Sequence, residues 1–309
     1  MGAFLKICDF VFVLRPLVLI PAWSFYLIGA AQGGNGALTA RFALNSPNAL
    51  ISLTSMLVSA YLLNQIFDRE SDEKNDKCFY LSRGIFSVRT LVVLSGIFFF
   101  VASFAFQRVE SDQRILLLVA LSLSLLYSLP PARLCARPFA DTAANAIGYG
   151  GIAYAIGFTT RDPSTADAIT SSIPDVLVVA STFLHTTILD VSGDRASGKI
   201  STAVFIGERR AAVLAAGLHG LAVLSAIVTG TALALIVTVA PLPLTVLATA
   251  RPSRATSSLL VQATTLVVAL TAAFLWPLYI AVLLPIVAVA RVYYRKRFGI
   301  IYPGLAKSA

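Results

Sequence analysis

Stretches of roughly 20 mostly apolar residues, the length a helix needs to cross a bilayer's hydrocarbon core, recur along the whole chain between short polar loops. The stretch Leu91–Phe106 (LVVLSGIFFFVASFAF) is apolar on every face, which excludes the two-residue alternation of a barrel strand. The pattern predicts spans at 11–31, 48–67, 87–106, 113–130, 142–158, 173–190, 210–229, 231–249, 257–274 and 277–292. Trp276-Pro277 either separates the last two or kinks one long helix. The predicted fold is all-α: a polytopic transmembrane helical bundle of nine or ten spans, one integral membrane domain over 1–309.

Composition agrees, with 57% of 309 residues hydrophobic and 13% charged. A soluble domain carries about 25% charged residues, so a soluble enzyme, a disordered chain and a disulfide-stapled module are excluded. A net charge of +9 in a soluble chain would suggest nucleic acid. Here Lys and Arg flank the spans, and no nucleic-acid partner is expected. With ten spans, 20 of the 24 fall on one side, leaving only Arg41, Arg108, Arg114 and Arg161 on the other. Positive-inside bias then puts both termini and the loops near 68–89 and 191–210 in the cytoplasm. Nine spans would put Arg291–Arg297 outside, so ten is preferred. Cys8, Cys78 and Cys135 form neither a disulfide framework nor a zinc motif. Phe10–Ala31 is long enough to span, with a loop at Gln32–Gly36, and does not read as a cleaved signal peptide.

The acids are more unevenly placed than the bases. Asp68, Glu70, Asp72, Glu73 and Asp76 share the segment NQIFDRESDEKNDK, and Asp190 and Asp194 share LDVSGDRASGK. Both segments begin where a span runs out on the predicted cytoplasmic side. Asn64, Asp68 and Asp72 follow i, i+4, i+8, a single stripe on a helix, and Asp190 and Asp194 repeat the step. Carboxylates crowded at a membrane boundary need a counter-cation. Oxygen ligands, including the Asn64 amide, suit a hard ion such as Mg²⁺ that also takes substrate phosphates. Two facing stripes therefore predict a diphosphate clamped between metals, with Asn64, Asp68, Asp72, Asp190 and Asp194 as ligands. Glu70, Glu73 and Asp76 fall off the stripe and read as solvated helix ends.

These motifs resemble those of the UbiA superfamily of intramembrane prenyltransferases: NxxxDxxxD at Asn64–Asp72 and DxxxD at Asp190–Asp194. The flanks are similar too: Arg15-Pro16 with Gly29-Ala30, YSLPPARL (Tyr127–Leu134) and GDRASGKISTAVFIGERRA (Gly193–Ala211). The resemblance extends to about residue 250. It implies nine spans around a central cavity, against the ten preferred on charge, with the cavity opening on the cytoplasmic side. It also implies Mg²⁺-dependent ionisation, with two ions expected, of an allylic prenyl diphosphate. Arg133 is similar to the basic residue after the Tyr-Ser-Pro-Pro turn, and Lys199 to the Lys after the second motif. Cys135 stands where many relatives have Lys, and Thr186-Thr187 where some carry a third acid. NQIFDRES with LSRG (Leu81–Gly84) is closer to the homogentisate, chlorophyll and archaeal ether-lipid branch than to the 4-hydroxybenzoate enzymes.

Metals and cationic side chains would stabilise the leaving diphosphate. Lys77, Arg83, Arg133, Arg195 and Lys199 are the diphosphate-binding candidates. Tyr61, Phe67, Tyr127 and Tyr149 can present aromatic faces to the allylic cation, and Asn145 is a further cavity candidate. His185 and His219 read as helix–helix hydrogen bonders. Gly148, Gly150, Gly151 and Gly157 read as close helix packing, and RVYYRKRFG as a basic-aromatic membrane anchor. Spans one to four and five to eight place an acidic stripe at the end of their second helix, as two pseudo-repeats would.

The expected activity is transfer of a prenyl group to an aromatic or other lipophilic acceptor, with no obligate protein partner evident. The alternative within the superfamily is a membrane terpene cyclase, and from another class an ion-coupled transporter. A transporter's helices should break near the midplane, but Ile51–Phe67 has no Gly or Pro.

Overall fold

A computed structural model describes residues 2–34, 47–75, 77, 79–162, 164–300 and 302. Arg41, Asp76, Cys78 and the far end of the Gln32–Gly36 loop lie outside them. Helix accounts for most of the described chain, and no strand occurs among the described residues.

The amino-terminal half comprises α1 (Gly2–Phe12), α2 (Pro16–Gln32), α3 (Pro47–Phe67), α4 (Arg69–Lys74), α5 (Phe79–Ser82), α6 (Val88–Phe106) and α7 (Ser111–Ser128). A 3₁₀ turn at Leu134–Ala136 leads to α8 (Ala140–Asn145), a π segment (Ala146–Ala153) and α9 (Tyr154–Phe158). Then follow α10 (Thr165–Ala196), α11 (Thr202–Ile206), α12 (Glu208–Thr229), α13 (Ala232–Val239), α14 (Leu242–Ala250), α15 (Arg254–Leu275) and α16 (Ile280–Phe298). Local chemistry sets several ends. Ser87 accepts the Thr90 amide to cap α6, Ser253 and Thr256 cap α15 reciprocally, and left-handed Gly230 and Gly299 close α12 and α16.

Among the described residues, seven helical segments (α13 and α14 taken together as one of them) are long and apolar enough to cross a membrane, eight if the bent pair of α1 and α2 counts as one span. The segments Ser111–Ser128 and 140–158 are not among them. The first carries Asp112, Gln113 and Arg114 in its opening turn, and the second is divided by π turns. This is an integral membrane protein with an all-helical fold.

Three predicted spans differ in detail. The first is not one helix over 11–31, because α1 and α2 meet at 49° around a left-handed Arg15. Proline disfavours the helical conformation of the residue before it, and Pro16 enforces the break. The segment 231–249 divides at Ala240-Pro241 for a related reason. The span drawn at 173–190 belongs to a 32-residue helix, α10, that carries Asp190 and Asp194 in its last two turns. Residues 257–292 do form two helices, and the indole N–H of Trp276 at the junction donates to the Leu27 carbonyl at 2.8 Å.

The long helix α10 is the hub, packing on α4, the π segment, α12 and α15, while α2 lies against α9 and α15. Small residues let the backbones touch. A Cβ on Gly157 would stand 2.7 Å from the Tyr26 carbonyl carbon and 3.0 Å from the Ala30 nitrogen, and one on Gly150 2.6 Å from the Asp175 oxygen. Gly148 differs from expectation: its nearest neighbour would be a Leu123 methyl at 3.8 Å, so no close approach requires glycine there. On the lipid side, α6 exposes Val92, Val93, Ile97, Phe100 and Phe104, which explains why its sequence is apolar all round.

Candidate active site at the ends of two acidic helices

Asn64 and Asp68 are joined by the helix itself. The Asp68 amide donates to the Asn64 carbonyl at 2.8 Å and the Asp72 amide to the Asp68 carbonyl at 2.8 Å. The α-helix is formally interrupted at Asp68 between α3 and α4, yet these bonds keep the i, i+4 stripe in register. The Asn64 side-chain amide donates to Asp68 Oδ2 at 3.0 Å, and Arg15 donates to Asn64 Oδ1 at 3.4 Å.

The second stripe faces the first. Lys199 Nζ stands 3.6 Å from Asp68 and 3.8 Å from Asp194, a single ammonium shared between the motifs. Ser71 donates to Asp194 Oδ1 at 2.7 Å, and Asn75 joins it at 3.3 Å. Lys77 pairs with Asp190, and Arg133 donates to Asp68 Oδ1 at 2.8 Å. Asp68 and Asp194 are buried, so these partners offset a large desolvation cost. Burial alone would lower the Lys199 ammonium, but Asp68 and Asp194 outweigh it and hold it above the ordinary lysine value.

Backbone strain concentrates at the same place. Among the described residues, Arg15, Arg133 and Phe139 are the non-glycine residues with positive φ, at 59°, 37° and 66°. Arg15 reaches Asn64, Arg133 reaches Asp68, and the Phe139 amide donates to Thr202 Oγ1 at 2.8 Å. Each such residue costs on the order of 1–3 kcal/mol and persists only where its surroundings impose it.

Among the described residues no three His, Cys, Asp or Glu side chains are gathered as a ready-made metal cage. The donors nonetheless fit a hard divalent cation. They are carboxylate and amide oxygens, two of the carboxylates already share one cation, and Mg²⁺ needs only one or two protein carboxylates when substrate phosphates complete its shell.

The UbiA prenyltransferase family model matches residues 18–256. The chain belongs to this family. It is similar to a UbiA homolog from Archaeoglobus fulgidus bound to GPP and Mg²⁺, with a TM-score of 0.70 at 19% identity over 86% of this chain and 98% of that one. It is also similar to a digeranylgeranylglyceryl phosphate synthase structure, with a TM-score of 0.63 at 16% identity over 86% of this chain and 97% of that one. In sequence it is 29% identical over 193 residues to a lycopene elongase/hydratase from Haloarcula japonica, 57% of this chain and 63% of that relative's length. The two solved structures show the fold, and the family identifies an enzyme of the prenyltransferase class.

Not every candidate cation reaches the acids of this UbiA member. Arg83 lies over the Phe79 and Phe298 rings at 4.5 and 5.1 Å, and Arg195 is exposed; neither forms an ion pair among the described residues. Cys135 is buried with Sγ 3.8 Å from Asp68 Oδ1, and burial followed by the Asp68 charge pushes its thiol up to about 11. A neutral thiol supplies no cation to Asp68 from this position. The Tyr61 and Tyr149 hydroxyls meet in a close hydrogen bond, Arg15 lies 5.9 Å from the Tyr61 ring, and the Asn145 side-chain amide donates to the Asp141 carbonyl at 2.9 Å. Phe67 is 40% exposed, and its carbonyl faces Arg133. His185 bonds Ser257 on α15, and His219 bonds Thr245 and the Thr238 carbonyl.

Ser71, Asn75 and Asp141 were not singled out by sequence. Ser71 and Asn75 are themselves i, i+4, one ridge beside the Asp stripe. Asp141 is 1% exposed and accepts the Thr142 amide at 2.6 Å, the Thr202 amide at 2.7 Å and the Thr202 hydroxyl. It ties α8 to the first residue of α11, which follows the loop carrying Lys199. Asp141→Ala strands several buried donors and should cost about 2–4 kcal/mol, read as a lower unfolding midpoint in detergent. An unchanged midpoint would show that the loop is held elsewhere.

Proposed function

We propose that this enzyme transfers a prenyl group from an allylic prenyl diphosphate to a lipophilic acceptor inside the membrane. The observation that carries the reading is the convergence of two Asp stripes from α3–α4 and α10 on one shared lysine. Asn64, Asp68, Asp72, Asp190 and Asp194 would hold Mg²⁺, as two ions, which would neutralise charge growing on the departing diphosphate. Lys77, Arg133 and Lys199 would bind the diphosphate oxygens directly. They are pre-paired with the carboxylates and so stay oriented without substrate. Tyr61, Tyr127, Asn145 and Tyr149 would line the path of the allylic group, their ring faces favouring the cation. Relatives that bind GPP with Mg²⁺ or carry an elongase name support the donor class.

The test is a panel of C5 to C40 allylic diphosphates against an aromatic acceptor, an isoprenyl glycerol phosphate and lycopene, read by mass spectrometry. Magnesium-dependent prenylation of one acceptor is expected. A cyclised product formed without any acceptor would make the enzyme a terpene cyclase instead.

Orientation is tested separately. Prenyl diphosphates are polyanions, so the site should open to the cytoplasm, where the basic loops are expected. With native cysteines removed, Ser82→Cys and Ser197→Cys should resist an impermeant thiol reagent until cells are permeabilised, and Thr165→Cys should label at once. Labelling of the first two from outside would invert the topology. Ala309, outside the described residues, reports the span count: Ala309→Cys should be protected with ten spans and labelled with nine.

A further inference from the structure

The last helix, α16, lies beyond the residues that match the family, yet its final turns reach back to the segment after the first acidic stripe. Asp9 on α1 is 4% exposed and accepts from Arg297 Nε and Nη2 at 3.0 Å each and from the Tyr293 hydroxyl at 2.6 Å. Phe12 stacks on Tyr293 with ring centroids 4.9 Å apart. The Phe298 ring lies 4.9 Å from that of Phe79, with the Arg83 guanidinium over both, and the Tyr294 hydroxyl stands 3.3 Å from that of Tyr80.

Phe79 and Tyr80 come two and three residues after Lys77. The Lys77 amide donates to the Asp72 carbonyl at 2.8 Å, and its ammonium pairs with Asp190. A tail serving only as a lipid anchor would keep its basic groups in water or headgroups. Arg297 instead turns inward onto a buried carboxylate, a contact that is costly unless its geometry is fixed.

We propose that α16 is a positioning clamp for the diphosphate end of the site. Arg297 and Asp9 hold α16 against α1. Phe298 and Tyr294 then hold Phe79–Arg83, and that segment fixes Lys77 and the end of the Asp72 stripe. Arg83, read from sequence as a diphosphate ligand, acts here as part of the clamp. Arg297, Phe298 and Arg83 are thus positioning residues. The inference rests on the prenyl-diphosphate reading above, because it assigns Lys77 to that substrate.

Full-length Arg297→Ala should raise KM for the prenyl diphosphate about tenfold, since small misplacements of binding groups carry penalties of this size. The turnover number should stay within about twofold, as expected when binding shared by ground and transition states is lost. Arg297→Lys should recover part of the KM, and the exchanged pair Asp9→Arg with Arg297→Asp more of it. A second readout needs no turnover: in a cysteine-free background Ser82→Cys should label roughly fivefold faster once Arg297→Ala frees the segment. Faster labelling in an enzyme that turns over no prenyl diphosphate supports the clamp and overturns the functional reading instead. Unchanged labelling and KM in folded Arg297→Ala overturn the clamp. If that variant cannot be purified, Phe298→Leu keeps the ion pair and removes one ring from Arg83; the same KM rise supports the clamp, and an unchanged KM overturns it.

Discussion

Asp68→Asn should reduce prenyl transfer by at least about 10³-fold, the scale expected when preorganised charge stabilisation is removed. Asp68 is where the site's interactions converge: Asn64 and Arg133 bond it, and Lys199 stands 3.6 Å away. Asparagine keeps the shape but removes the charge, which weakens metal binding and leaves Arg133 and Lys199 without their shared counter-ion. Asp190→Asn should be comparably inactive, because it frees Lys77 and removes one end of the second stripe. Both variants should elute from size exclusion as the parent does, since the helices that carry these acids pack through other residues. Chelation with EDTA should abolish activity in the parent. Full turnover in either variant, or undiminished turnover in EDTA, would sink the assignment of the acids to metal and diphosphate.

The acidic stripes were legible because helical spacing repeats on two segments, and a repeated i, i+4 pattern survives the small interruption of the helix at Asp68. Lone acids carry no such signal. Asp9 and Asp141 belong to no such pattern, yet both are buried and bonded by groups distant in the chain. Arg83 shows the converse: a basic loop residue that reads in sequence as a diphosphate candidate lies over aromatic rings from two separate helices. The α1–α2 break lay hidden inside a continuous apolar run, with Arg15-Pro16 as its only trace. Membership of the UbiA family explains why the motifs appear in order. Neither α16 nor its contacts could be read from that resemblance, which ends near residue 250.

Gly157→Ala should cost stability on the order of 3 kcal/mol, the scale of overpacking in a tightly packed interior, or prevent assembly outright. The added methyl would meet backbone, not a side chain that could turn aside: the Tyr26 carbonyl carbon at 2.7 Å, its oxygen closer still, and the Ala30 nitrogen at 3.0 Å. On the facing helix a Cβ at Gly29 would lie 2.9 Å from the Tyr154 carbonyl carbon. The α2–α9 seam is therefore a reciprocal small-residue contact of the kind that lets membrane helices pack without a hydrophobic drive. Separating it would also move Arg15 at the foot of α2 relative to Tyr149 in the π segment, so activity should fall with stability. Gly96→Ala and Gly148→Ala are the controls: a Cβ at Gly96 meets nothing within 4 Å, and one at Gly148 makes only an ordinary contact. Both should unfold at or above the parent midpoint, because alanine favours a helix over glycine by about 1 kcal/mol. If Gly157→Ala proves as stable as these controls, α2 and α9 do not touch as closely as the structure has them, and Arg15 is positioned by something other than this seam.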